Sequence, residues 1–281
     1  MTFRLFALTL FAMLAFAGNS LLCRLALKQT AIDPTTFVAI RIVSGAVMLW
    51  WVLSIRRPSA RPEGTWAGAL ALLAYALAFS YAYTRIPAGT GALLLFGAIQ
   101  VCMILYGLTI GERLAAAQCI GLALAIAGLV ALMLPSAGAP PAFYGFLMIL
   151  SGVAWSIYSL LGRGAKNPAT ATAGNFIRAA PVALALLLAQ FLASEVRVDT
   201  PGAAYAAASG AVTSGLGYIL WYAALKQLNV THAATVQLSV PVLAAFGGTV
   251  FLDEPLTAVL LAASALVLAG VSLVILNKRG A

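Results

Sequence analysis

The chain has 281 residues, of which 63% are hydrophobic and only 8% charged, with a formal net charge of +9. A soluble domain carries about 25% charged residues, so this composition excludes water as the main solvent of the surface and points to lipid. The basic residues form no long cluster and no nucleic-acid-binding motif, which argues against a nucleic-acid partner and makes the basic excess a topology signal.

A spanning helix needs about 20 mainly apolar residues across a hydrocarbon core of about 30 Å. The first predicted span is Leu5–Ala26. Arg4 and the Ala15-Phe16-Ala17 triplet are similar to a secretory leader, but the apolar run continues through Leu22 and nine more follow, so it is read as an uncleaved helix. It carries Asn19 in its interior. After Asp33-Pro34 comes the second span, Thr35–Ile55, with Arg41 inside it. The third, Thr65–Tyr83, places Tyr75, Phe79 and Tyr83 at i, i+4 and i+8 on one face. Tyr83 is near the helix end and is read as an interfacial belt residue. The fourth span, Ala88–Ile110, holds Gln100, and Gly111-Glu112-Arg113-Leu114 joins it to the fifth, Leu114–Leu134.

The loop from Pro135 to Pro141 divides the chain into a first five-helix repeat (1–135), an inter-repeat loop (136–142) and a second repeat (143–281). The sixth span, Phe143–Gly162, presents Trp155 and Tyr158 on one face, and the seventh, Thr172–Ala193, contains Arg178. The eighth, Pro201–Leu225, bears the aromatic band Tyr218, Trp221 and Tyr222 just after Gly215 and Gly217. The ninth, Thr231–Leu252, holds Gln237, Ser239 and Pro241, and Asp253-Glu254-Pro255-Leu256 leads into the tenth, Leu256–Leu276. The fold class expected is therefore an all-α polytopic membrane protein with ten transmembrane helices.

Ten basic residues fall on the side of the N-terminus (Arg4, Arg56, Arg57, Arg61, Arg113, Arg163, Lys166, Lys226, Lys278, Arg279) and four opposite (Arg24, Lys28, Arg85, Arg197). The positive-inside rule puts both termini in the cytoplasm, which agrees with an even span count. A shift of 142 residues lays Glu112-Arg113-Leu114 on Glu254-Pro255-Leu256, Phe79 on Trp221 and Gly128 on Gly270. A slightly smaller shift lays Ser20 through Arg24 on Ser159 through Arg163, Phe16 on Trp155 and Asn19 on Tyr158. Each half has an odd number of spans, so the two are inverted repeats, with Glu112 at the cytoplasmic face and Glu254 at the outer face.

These residues resemble the drug/metabolite transporter superfamily in its EamA-type branch. The resemblance rests on Ala39-Ile40-Arg41, Gly111-Glu112-Arg113-Leu114 with Gly121 and Gly128, Trp155-Ser156-Ile157-Tyr158 with Arg163, Pro241-Val242, and Asp253-Glu254-Pro255-Leu256 with Gly270. More narrowly the chain is similar to the YddG-type aromatic amino-acid exporters of bacterial inner membranes. The resemblance implies a central cavity bounded mainly by helices 1, 3, 4, 6, 8 and 9, and alternating access by the two halves. It also makes Pro241 a hinge candidate, whereas Ile99 stands at the matching place in the first half and leaves the fourth helix straighter than the ninth.

Aromatic walls suit a planar apolar substrate, so Tyr75, Phe79, Trp155, Tyr158, Tyr218, Trp221 and Tyr222 are candidate substrate-binding residues. Asn19, Gln100, Gln237 and Ser239 lie inside apolar runs and are candidates to grip an amino or carboxylate group, or to hydrogen-bond between helices. Arg41 and Arg178 each sit about two turns inside a span, where an arginine costs about 2.5–3.5 kcal/mol on insertion scales. Arg178 is kept as the candidate carboxylate receptor. Arg41, on a helix the resemblance makes peripheral, is read as a clamp on a helix end or loop carbonyl.

No Asp or Glu falls near the middle of a predicted span, which argues against a carboxylate proton relay. Glu112 and Glu254 sit at helix starts and are read as structural caps at the helix junctions. His232 is the only histidine and Cys23, Cys102 and Cys119 show no metal spacing, so no metal site and no cofactor are expected. There is no nucleotide-binding loop and no catalytic constellation. The reading is an inner-membrane carrier exporting aromatic and other apolar amino acids or related metabolites. The alternatives are a broad exporter of drugs or nucleobase-like compounds, a channel, and a membrane-embedded enzyme. The expected partners are a small molecule and the lipid bilayer.

Overall fold

The computed structural model describes residues 3–56, 61–111, 115–134, 140–162, 165, 167–225, 227–228 and 236–276. Among them, every regular element is helical. The first five helices are α1 (Phe3–Gln29), α2 (Pro34–Arg56), α3 (Trp66–Tyr83), α4 (Ala88–Thr109) and α5 (Ala116–Met133). The next two are α6 (Ala142–Gly162) and α7 (Pro168–Ala193). The eighth, α8, runs through Thr200–Ala208, a π-helical stretch Ser209–Leu216 and Gly217–Leu225; α9 (Ser239–Leu252) and α10 (Ala258–Leu276) complete the set. From α1 to α7 each helix has 18 to 27 residues and is apolar enough to cross a membrane. At about 1.5 Å per residue, 18 residues cover about 27 Å, close to the hydrocarbon thickness.

Proline and short polar side chains set the ends. Asp33, Asn167 and Asp199 each accept a backbone N–H at the start of α2, α7 and α8, directly before helices that open on proline in their first positions. Proline is tolerated there because the first N–H groups of a helix have no partner within it. α4 runs unbroken through Ile99, whereas the turn at Leu238 interrupts the chain three residues before Pro241. A proline cannot donate to the carbonyl four residues back and crowds it, which accounts for the difference.

The packing has the pairing that two inverted halves require. Helices at equivalent positions of the two halves lie against each other, α2 on α7, α4 on α9 and α5 on α10. The remaining main contacts exchange correctly, α1 against α8 and α6 against α3. A pseudo-twofold axis relating the two five-helix halves generates this pattern, as in transporters built from inverted repeats. α5 and α10 cross where Gly121 and Gly270 bring the backbones together, and Gln118 Nε2 donates to the Val274 carbonyl at 3.2 Å. Glycine at such crossings lets helices approach closely in lipid. Large apolar side chains such as Phe6, Trp50, Phe143 and Phe246 cover the outside.

The π-helical stretch of α8 is seated on α2 at Gly210, whose missing side chain lets it approach the Arg41 carbonyl and the Ser44 hydroxyl. A methyl group there overlaps both. Gly210→Ala is therefore expected to lower stability by about 1–3 kcal/mol, as overpacking does. Thermal unfolding in detergent checks it: an unchanged midpoint contradicts this seating.

Candidate functional site

The helices that meet at the centre contribute a shared chamber. α1 supplies Phe16, Asn19 and Ser20; α3 supplies Tyr75 and Phe79; α4 supplies Leu95, Phe96 and Ile99. From the second half come Trp155 of α6 and Thr213 and Tyr218 of α8. α9 contributes no lining residue. The chamber leaves about 20 Å³ for the centre of a water-sized sphere, room for about one water. An amino acid fits only when these walls part.

The walls are a continuous aromatic cluster. Trp155 lies 4.8 Å from Tyr75, 5.1 Å from Tyr218 and 5.5 Å from Tyr158 between ring centroids. Phe16 stands edge-on to Trp221 at 5.8 Å, to Tyr218 at 6.1 Å and to Trp155 at 6.5 Å. Such offset and edge-to-face pairs are worth about 0.5–1.5 kcal/mol each beyond their buried area. The face of α3 expected from the i, i+4, i+8 spacing is present: Tyr75 meets Phe79 at 5.3 Å and Phe79 meets Tyr83 at 4.7 Å. Tyr83 is no belt residue, however. It is fully buried and its hydroxyl donates to the Ala88 carbonyl at 3.2 Å.

One polar seam crosses the cluster. The Asn19 carbonyl oxygen accepts from Ser209 at 2.8 Å and Thr213 at 3.4 Å, which turns its amide NH2 to the Tyr75 hydroxyl at 3.1 Å. On the other side of that hydroxyl stands Arg41, only 1% exposed. Its Nη2 donates to the Tyr75 oxygen at 3.1 Å and its Nε to Ser214 at 3.3 Å. The guanidinium carbon lies 5.2 Å from the ring centres of both Tyr75 and Phe79. Ser209, Thr213 and Ser214 all belong to the π-helical stretch of α8, a kind of distortion that recurs at functional sites.

The two intramembrane arginines thus stand opposite to the expectation. Arg178, the expected carboxylate receptor, is outside the chamber: its Nη1 donates to the Glu63 carbonyl at 2.9 Å and the Gly174 carbonyl at 3.0 Å, clamping the segment before α3. Arg41 is the arginine beside the aromatic cluster. Of the other candidates, Tyr158 and Trp221 back the chamber wall, Gln100 is buried on α4 beside Ile99, and Tyr222 lines a separate cleft with Arg4 and Leu220. Ser239 donates to the Val236 carbonyl at the start of α9, away from the chamber lining. Gln237 also lies at that break rather than in the lining. Phe16, Ser20, Thr213 and the α4 lining residues Leu95, Phe96 and Ile99 were not among the sequence candidates, although the repeat had paired Phe16 with Trp155.

Glu254 ties α1 and the start of α4 to the α9–α10 junction. Asp253, at φ 52°, ends α9 in the left-handed region, which aspartate tolerates better than most residues. The reversal aims the Glu254 carboxylate at the first turn of α4, where it accepts the Ala88 N–H at 2.6 Å and pairs with Arg24 Nε at 2.7 Å. Arg24 also donates to the Tyr83 carbonyl at 2.8 Å, and Lys28 to the Leu252 carbonyl at 2.7 Å. Glu254 thus caps α4 and not the helix that follows it, where the sequence placed its capping role. Glu112, its counterpart, lies outside the described residues. At the same end Asp33 accepts the Arg197 N–H at 3.0 Å and Asp199 the Ala31 N–H at 3.1 Å, joining the two halves. Burial alone raises the Asp33 carboxyl, but bonds from the Thr36 N–H and hydroxyl and from Arg197 hold it below the ordinary 3.8. Among the described residues no cluster of His, Cys, Asp and Glu has metal-binding geometry.

Residues 4–134 and 142–276 each match the model of the EamA-like transporter family. The chain is 54% identical over 278 residues to an uncharacterised protein of Pseudomonas aeruginosa, covering 99% of this chain and 96% of that one. A "probable terminal-alkyne amino-acid exporter" of Streptantibioticus cattleyicolor is 27% identical over 246 residues, 86% of this chain and 80% of that one. A "probable amino-acid metabolite efflux pump" of Escherichia coli K12 is 26% identical over 230 residues, 74% and 77% respectively. A crystal structure sharing 20% sequence identity superposes with a TM-score of 0.68 over 97% of this chain and 99% of that one, a likeness of fold alone.

Proposed function

The chain belongs to the EamA-like transporter family, and on that premise we propose that it is a carrier exporting aromatic and other apolar amino acids, or related small metabolites, through the chamber between its two halves. The observation that carries the reading is the chamber itself: aromatic side chains of both repeats converge on one buried space crossed by a single polar seam of Asn19 and Tyr75. Aromatic walls bind a planar side chain, and the seam offers hydrogen bonds to its polar end. The names of the two exporter relatives agree in substrate class.

The carrier resides in a bacterial inner membrane with both termini cytoplasmic, since ten basic residues flank the spans on that side against four opposite. Residues 1–135 and 143–281 are its two moving halves, joined by 136–142. The end held by Arg24 and Glu254 then faces outward. Release requires that latch to open, and the break before Pro241 gives α9 a place to bend.

Counterflow of labelled phenylalanine in liposomes containing the purified protein tests the function. Saturable exchange, with competition by tyrosine and tryptophan, supports it. If phenylalanine does not move while nucleobases or amphipathic drugs do, the protein is a broad exporter instead. An ohmic current without saturation makes it a pore.

A further inference from the structure

We propose that Arg41 is the receptor for an anionic group on the substrate, so that the chamber selects aromatic molecules bearing a carboxylate. The proposal rests on the reading of the chamber as the transport site. Its own basis is the state of the guanidinium. An arginine stays charged at any physiological pH, and among the described residues Arg41 forms no ion pair with any carboxylate. Its Nη1 is buried and has no hydrogen-bond partner, alone among buried side-chain nitrogens and oxygens of the described residues. Leaving such a donor unpaired in a desolvated place costs stability, more for a charged group than for a neutral one. A purely structural arginine has an obvious remedy, which Arg178 shows: its Nη1 lies on two carbonyl oxygens.

The neighbours of Arg41 complete the receptor. The Tyr75 oxygen accepts from both Asn19 and Arg41, so its own O–H remains to be donated. Tyr75 and Phe79 form the partition between the guanidinium and the chamber. When a substrate spreads these walls, the Arg41 Nη1 and the Tyr75 hydroxyl provide two donors for the two oxygens of one carboxylate. No acidic side chain lines the chamber to answer an ammonium group; neutral oxygens and ring faces are what it offers. The carboxylate is therefore the dominant polar determinant and the amino group a secondary one.

The test compares three ligands on the full-length protein in detergent, read by quenching of intrinsic tryptophan fluorescence and by competition in counterflow. Phenylalanine carries both charges, 3-phenylpropanoate only the carboxylate, and phenylalaninamide only the ammonium. The wild type is expected to bind phenylalanine at least tenfold tighter than phenylalaninamide, with 3-phenylpropanoate closer to phenylalanine. In Arg41→Gln that discrimination falls to about one, and in Arg41→Lys part of it survives. The wild-type comparison stands even where a variant fails to fold. If the wild type binds all three alike, or prefers the amide, the proposal is wrong and the chamber remains a transport site. If Arg41→Gln folds and keeps the tenfold preference, the proposal is also wrong. If the wild type binds none of the three and moves no phenylalanine, the functional reading fails first and this proposal fails with it.

Discussion

Glu254→Ala is expected to be among the most damaging single substitutions in the chain, lowering stability by about 3–5 kcal/mol, the range for removing one partner of a buried ion pair, and cutting transport at least tenfold. The carboxylate has two short charge-assisted bonds, to Arg24 at 2.7 Å and to the Ala88 N–H at 2.6 Å, with side chains 7% and 10% exposed for the pair. Its loss strands the Arg24 guanidinium with the Tyr83 carbonyl alone and leaves the first turn of α4 uncapped. Three elements lose their register together: α1, the α3–α4 connection and the α9–α10 junction. The two roles of Glu254 are separable. Glu254→Gln keeps an acceptor for the Ala88 N–H and is expected to retain more stability than Glu254→Ala. The exchange of Arg24→Glu with Glu254→Arg restores opposite charges but gives the Ala88 N–H no acceptor, so it rescues only in part. Thermal unfolding and counterflow on the four proteins check this. A full rescue by the exchange would show that the cap contributes nothing, and a silent Glu254→Ala would remove the latch from the account.

Trp155→Ala is expected to weaken aromatic amino-acid binding by at least about tenfold, a loss of about 1.4 kcal/mol or more. Trp155 is the hub of the cluster, within 6.5 Å of Phe16, Tyr75, Tyr158 and Tyr218. It stands only half-buried, so truncation removes a wall of the site more than a piece of the protein core. Trp155→Phe keeps an aromatic face and should recover most of the affinity. Tyr222→Ala, on the separate cleft, should leave KM within about twofold of the wild type. KM values from counterflow decide between them: equal effects at Trp155 and Tyr222 would mean that the substrate does not use the central cluster.

The helices were legible in the sequence because lipid permits little else. Proline-bearing breaks at Asp33-Pro34, Ile86-Pro87 and Asn167-Pro168 lie where α2, α4 and α7 begin. The pairing of α2 with α7 and α5 with α10 fits the inverted halves that the repeat of Glu112 and Glu254 suggested, but the repeat alone did not say which helices would touch. The chamber was legible only where chemistry marked it, at the tyrosines and tryptophans of α3, α6 and α8 and at Asn19. Its α4 wall was not: Leu95, Phe96 and Ile99 have the same apolar character as the lipid-facing residues of α1 and α2. In a bilayer both the protein-facing and lipid-facing sides are apolar, so no polar stripe tells them apart.

The arginines were indistinguishable for a related reason. Each follows isoleucine, Arg41 about two turns and Arg178 about three turns inside its helix, and only tertiary contacts show that Arg178 reaches the Glu63 carbonyl while Arg41 turns toward Tyr75. The π-helical stretch of α8 left no mark in its string of small residues, yet it supplies the hydroxyls that hold Asn19 and Arg41. For Glu254 the motif itself was visible, but its partners are 166 and 230 residues away in sequence.

Substrate protection of a cysteine inside the chamber is the most direct test of a transport path between the two halves. Ile99→Cys, in a protein whose Cys23, Cys102 and Cys119 have been replaced, puts a thiol on the α4 wall. During transport a water-soluble thiol reagent is expected to modify it, and phenylalanine at saturating concentration to slow that modification severalfold while alanine does so weakly. A thiol that is never modified, or one modified at the same rate with and without phenylalanine in an actively transporting protein, would contradict the chamber as the route.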